Sequence, residues 1–156
     1  MTQHDARGLP VGSRSATACA AVDVALWRMM SFYDTPLADL DAAIAADPGW
    51  ALPHTMKAGF LASLTEASLL PQAAQHLAAA RALTGAQTPA RERMHLEALQ
   101  LGLEGRWASA CRHWDALLID YPRDALALQW AQLWDFYRGD AAALRARPAR
   151  ALRCRR

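Results

Sequence analysis

The chain is poor in β-branched residues. It has three valines (Val11, Val22, Val24) and two isoleucines (Ile44, Ile119) among 156 residues, against 36 alanines. Strands are favoured by β-branched and aromatic side chains and helices by alanine and leucine, so this composition argues against a sheet and predicts an all-α fold. Cysteine is scarce too. Cys19, Cys111 and Cys154 are odd in number and lack CxxC spacing, which excludes a disulfide framework or zinc knuckle and fits reduced thiols in a cytoplasmic protein. No uninterrupted apolar run approaches the roughly 18–20 residues of a membrane span. Met1–Pro10 carries Asp5 and Arg7 instead of an apolar leader, so neither insertion nor secretion is expected. Also missing are a glycine-rich phosphate loop, a G-x-S-x-G elbow and an HExxH pair.

What is present is enough to fold. The composition is 53% hydrophobic and 21% charged with six tryptophans, which excludes intrinsic disorder. The net charge of +2 conceals an asymmetry. Arg145, Arg147, Arg150, Arg153, Arg155 and Arg156 follow residue 144, where there is no acid, and without them the rest carries −4. The basic character therefore belongs to the end of the chain. Read as a solvated arm, it argues against nucleic-acid binding and gives no sign of a membrane partner. Arginine-tail binding to nucleic acid stays as the last-ranked alternative, with an affinity that would collapse in salt.

The clearest internal pattern is Gly105, Trp107, Ala110, Trp114, Leu117, Leu118, Pro122. Glycine permits a tight turn between two helices, the aromatic packs back on the pair, and residues at i, i+4, i+7 and i+8 form one buried stripe that proline ends. A step of 34 residues lands on Gly139, followed by Ala141 and Leu144; an earlier unit is outlined by Tyr33, Leu40, Ala43, Ile44 and Asp47-Pro48-Gly49. These marks resemble the tetratricopeptide repeat (TPR), although in the earlier unit Pro36 stands where the pattern has a small residue. Between them lies a longer unit with a second-helix stripe of Ala73, Leu77, Ala80 and Leu83. The punctuation predicts helices near 15–32, 36–47, 51–66, 71–84, 90–104, 107–120 and 123–138, with a stub at 140–146. The expected organisation is an extended segment over 1–14, a TPR-like α-solenoid of about three and a half repeats over 15–146, and an Arg-rich tail over 147–156.

Several phrases are more specific than the repeat: Asp5-Ala6-Arg7-Gly8-Leu9-Pro10; Ala46-Asp47-Pro48 with His54 and Gly59 after it; Arg91-Glu92-Arg93-Met94-His95-Leu96-Glu97-Ala98; and Tyr121-Pro122-Arg123-Asp124-Ala125-Leu126-Ala127-Leu128. Together they resemble the N-terminal part of the tetratricopeptide repeat protein 38 family, across nearly the whole chain. The resemblance implies a helical-repeat fold; it brings no established catalytic activity, no cofactor and no catalytic residues. Family members are much longer, and here the arginine-rich end stands where further repeats would follow, so the array is expected to be cut short.

A repeat buries its face only against a neighbour. The helix bearing Leu126, Leu128, Trp130, Leu133, Trp134, Phe136 and Tyr137 is apolar nearly all round, and its partner is expected to stop at Pro148. Trp130 and Trp134, four residues apart on one face, fit either the core or an exposed contact surface; with Tyr137 they are the candidates for an exposed apolar face, with self-association through the C-terminal end as the consequence. Trp27, Trp107 and Trp114 are expected in the core.

Candidate chemistry is sparse. The histidines are His4, His54, His76, His95 and His113. His95 and Glu97, like Cys111 and His113, stand two apart and face different sides of a helix, so neither pair chelates a metal. His95 with Glu92, or His113 with Asp115, has the composition of a base and its orienting carboxylate, but at these spacings surface hydrogen bonds are the ordinary outcome. No catalytic, cofactor or metal residues are assigned.

The 34-residue register places Thr55, Gly59 and Ser63, then Glu92, His95 and Leu99, then Gln129, Leu133 and Phe136 on the concave groove that first helices line. The surface is mixed, without the Lys/Arg/Asn clamp that holds a peptide carboxylate, so a bound protein or peptide would be read by apolar and hydrogen-bond contacts. A groove that is merely packed or solvated fits the same residues. The expected function is a non-enzymatic scaffold for protein–protein interaction. The alternative is a fragment of a longer TPR-family protein whose ligand or catalytic site this chain does not complete.

Overall fold

The structure, a computed structural model, describes residues 3–153. Among them, eight α-helices account for nearly all regular structure: α1 Ala16–Ser31, α2 Leu37–Ala46, α3 Ala51–Ser63, α4 Leu70–Leu83, α5 Ala90–Leu103, α6 Trp107–Asp120, α7 Ala125–Tyr137 and α8 Ala141–Arg153. Local chemistry sets most ends. Ser15 Oγ accepts from the Ala18 N–H (3.1 Å) to cap α1, and Asp124 Oδ1 accepts from the Ala127 N–H (2.9 Å) to cap α7. Asp47 closes the turn after α2 by accepting from the Gly49 N–H (3.3 Å). The surplus residues between α3 and α5 form a 3₁₀ turn at Ala67–Leu69 and a loop after α4.

Gly105 and Gly139 do what their spacing predicts. Both lie in the left-handed region, at φ +76° and +74°. In each turn the following amide reaches back five residues, Arg106 N to Leu101 O and Asp140 N to Asp135 O, both at 2.9 Å, while the glycine amide bonds three back at 3.1 Å. Two helix ends 34 residues apart therefore close with the same Schellman turn, which only glycine enters without strain.

Consecutive helices pack on one another, as short connections require, and α3 also packs on α5 and α7. A single apolar cluster runs through all of the first seven helices. The N-terminal segment is more ordered than an extended arm. β1 (Gln3–His4) pairs antiparallel with β2 (Pro10–Val11), and the hairpin buries Leu9 and Val11 against the bundle.

The end of the chain departs from expectation in three ways. First, α8 is no stub. It runs through Pro148 to Arg153, so the tail over 147–156 is helical as far as it is described; residues 154–156, Cys154 among them, lie outside the described residues. A proline inside a helix leaves the carbonyl four residues back without its donor. Here that carbonyl belongs to Leu144, and Gln132 of α7 supplies the missing donor from Nε2 at 3.2 Å. Second, Arg147 is not a solvated cation. It is buried, donating to Asp115 (2.8 and 3.2 Å) and to Gln132 Oε1 (3.1 Å) and paired with buried Asp135. Arg150 adds a contact to Asp115 at 3.3 Å. Third, Trp130 and Trp134 are buried, not exposed, and Tyr137 is half-buried. They are covered by α3, α5 and α6: Trp130 by Gly59, His95 and Trp114, Trp134 by Gly102 and Trp114. The apolar face expected to drive self-association is inside the molecule.

Candidate functional site

The inner helices decide what becomes of the expected groove. At Gly59 the absent side chain leaves a socket that receives the Trp130 indole. A Cβ there would lie 2.2 Å from Trp130 Cζ2. Thr55, Gly59, Glu92, His95 and Leu99 are consequently buried, and this stretch of the groove is core. Thr55 returns its hydroxyl hydrogen to the Ala51 carbonyl at 3.2 Å, within its own helix. Gln129 and Leu133 remain half-buried and Phe136 exposed.

Within that core sits a polar centre built by α5 and the start of α7. Asp124 Oδ2 accepts from Arg91 Nε (2.5 Å) and faces His95 Nε2 (2.9 Å), and Asp5 of the hairpin lies 3.9 Å from the same guanidinium. Burial alone would raise the Asp124 pKa; His95 and Arg91 outweigh it and hold the carboxyl well below the usual carboxylate range. Beside it, Glu92 accepts from Trp50 Nε1 (3.0 and 3.2 Å) and from the Gly12 amide (2.8 Å). Burial pushes its carboxyl up, and these bonds and Arg91 offset only part of that. His95 and Glu92, paired at sequence level as base and carboxylate, do not meet: the carboxylate partner of His95 is Asp124, 29 residues away. No spacing motif advertises that pairing. All four side chains are buried, and the adjoining cavity, of about 10 Å³, has room for a single water at most. The centre ties the hairpin, α5 and the cap of α7 together and offers no path to a substrate.

An open pocket lies at the other end of these helices. A pocket of about 400 Å³ is bounded by the end of α1, the end of α3 and the second half of α7, lined by Met29, Phe32, Phe60, Gln129, Trp130, Leu133 and Tyr137 among others. The Tyr137 hydroxyl donates to the Ser63 carbonyl at 2.5 Å, joining α7 to α3 on the pocket floor. Two of the lining side chains are large apolar groups left in solvent: Phe32 is 79% exposed, and Leu64 is exposed as well. Trp27, Tyr33 and Phe136 are also exposed. Trp27, expected in the core, instead leans on Tyr33 with ring centroids 5.8 Å apart, and Tyr33, which fits the aromatic slot of the earlier unit, is itself exposed. The α1 helix ends on Phe32 at φ +53°, the position where glycine is the rule, and Asp34 (+64°) and Thr65 (+57°) repeat the conformation on the two loops that edge the pocket. Sequence reasoning missed Phe32, Phe60 and Leu64; the one available signal was the pair Phe32-Tyr33 directly before Asp34-Thr35-Pro36, aromatics stranded in a loop.

Of the remaining histidines, His54 on α3 and His76 on α4 face each other, Nδ1 to Nδ1, at 3.5 Å. His113 is exposed and bonded only to the Ser109 carbonyl of its own helix (3.2 Å), while burial and the neighbouring Asp135 push the Cys111 thiol up to about 12. Among the described residues no three His, Cys, Asp or Glu side chains converge as a metal site, and no helix is long and apolar enough to cross a membrane. The chain matches no protein-family model and no solved structure.

Proposed function

We propose that this protein is a non-enzymatic helical-repeat scaffold of the tetratricopeptide type that binds a protein segment in the pocket between the ends of α1, α3 and α7. The twin glycine turns 34 residues apart support the repeat assignment, as does the resemblance to the tetratricopeptide repeat protein 38 family. The observation that carries the binding role is Phe32: a large aromatic held exposed over a 400 Å³ pocket, in a backbone conformation that costs a non-glycine residue about 1–2 kcal/mol. A stable fold gains nothing from either property, whereas a docking site gains an apolar anchor of fixed orientation. The lining is mostly apolar, with Gln129, Ser63, Arg28 and Asp34 at its edges, so the bound segment is expected to insert one or two apolar side chains and hydrogen-bond at the rim.

Phe32→Gly separates binding from stability. The variant should fold at least as stably as the parent, by about 1 kcal/mol or some 2–4 °C in Tm, because glycine relieves the left-handed cap. Peptides selected from a displayed random library on the immobilised protein should bind Phe32→Gly about tenfold more weakly or worse. No enriched sequence, or enriched sequences that bind the variant undiminished, would refute the docking role.

A further inference from the structure

We propose that His54 and His76 form a two-histidine site for a tetrahedral divalent cation, Zn²⁺, clamped between α3 and α4 and independent of the pocket described above. The two residues are 22 apart in sequence, too far for any local motif, yet packing brings Nδ1 of one to 3.5 Å from Nδ1 of the other, with ring centroids 5.8 Å apart and planes tilted by 33°. With zinc–nitrogen bonds of about 2.0–2.1 Å, a tetrahedral angle puts two ligating nitrogens about 3.3–3.4 Å apart. The observed separation meets that within about 0.2 Å, the tolerance of a plausible site. Cis nitrogens at 90° on an octahedral or square-planar ion stand about 2.9 Å apart, so the spacing favours Zn²⁺ over Ni²⁺ or Cu²⁺. Without a cation the facing nitrogens are poorly served. At 3.5 Å they make at best a long N–H···N contact, and with both lone pairs inward none at all. A cation between them satisfies both.

The surroundings suit metal more than proton. Both rings are half-buried, which leaves further coordination positions open to water or to a donor on a bound molecule. Burial first, then the nearby Lys57 ammonium, pull both imidazoles below their ordinary pKa, so they present neutral nitrogens at pH 7. Lys57 does not confront the site as a bare charge. Its ammonium is paired with Asp41 of α2, whose negative charge acts on both rings in the opposite sense. The two ligands stand on helices that pack closely along their length, so the separation is held before any ion arrives.

Zn²⁺ titrated into the full chain, read by calorimetry and by thermal unfolding, tests the site. One ion should bind and raise Tm. His54→Gln and His76→Gln should each weaken binding about tenfold or more and abolish the Tm rise, while His113→Gln, which alters an exposed histidine on α6, should change neither. Undiminished zinc binding in the His54 and His76 variants would overturn the proposal. Co²⁺ bound to the unmodified protein supplies a readout that needs no variant: intense visible bands of tetrahedral coordination support the site, and a weak octahedral spectrum refutes it.

Discussion

Replacing Gly59 by alanine puts the packing of the inner helices to a direct test. In an exposed helix interior this substitution stabilises by about 1 kcal/mol, because glycine is the poorer helix former. Here the new methyl would lie 2.8 Å from Trp130 Cε2 and Cη2 and 2.2 Å from Cζ2, the last more than 1 Å inside ordinary contact. The indole has nowhere to retreat. It is fully buried, with the His95 ring at 5.6 Å edge-on and the Trp114 ring at 5.7 Å. Overpacking a closed core costs about 1–3 kcal/mol, and a contact this short belongs at or above the upper end. After the helix gain is subtracted, the net loss should be about 2 kcal/mol, which for a chain of this size lowers Tm by about 4–8 °C. Urea unfolding of Gly59→Ala, Trp130→Leu and the double variant isolates the cause. With leucine at 130 the alanine should become neutral or stabilising, giving a coupling energy of about 2 kcal/mol or more. An unchanged or raised Tm for Gly59→Ala, or strict additivity in the cycle, would refute the claim that this glycine exists to seat the tryptophan.

Asp124→Asn keeps the α7 cap but removes the charge between His95 and Arg91, so at pH 7 it should cost about 3–5 kcal/mol in urea unfolding. The Asp124 pKa is depressed in the folded state, so its contribution is complete above the unfolded value of about 3.9 and fades as pH falls below it. The gap between parent and variant should therefore shrink on going from pH 7 to pH 3, and a constant gap would show that the loss is steric. Gln132→Leu should cost about 1–3 kcal/mol by stranding the Leu144 carbonyl, and much less in a Pro148→Ala background, where the backbone donor returns; equal losses in both backgrounds would sink this account of how α8 passes its proline. Cys111, with its thiol at about 12 and buried, should resist iodoacetamide at pH 8 until the chain unfolds, which mass spectrometry of the labelled peptide would settle.

The helical class and most helix boundaries were legible in the residues alone, since they depend on interactions within a few positions. Alanine in place of valine and isoleucine selects helix, and Gly105 and Gly139 supply left-handed turns whose equal geometry follows from their equal local chemistry. Tertiary structure decided which distant group meets each face. Periodicity marks a residue as inward but does not say what it will touch, so Gly59 and His95 read as lining of an open groove until Trp130 is seen to fill it. The rule that proline ends a helix is local as well, and it failed at Pro148 because a side chain from α7 satisfies the carbonyl that proline leaves bare. Arg147 lost its place in a solvated tail for the same reason, drawn inward by Asp115 and Asp135. The facing nitrogens of His54 and His76 are likewise a product of helix pairing: two half-turns of different helices brought into register by the packing of everything between them.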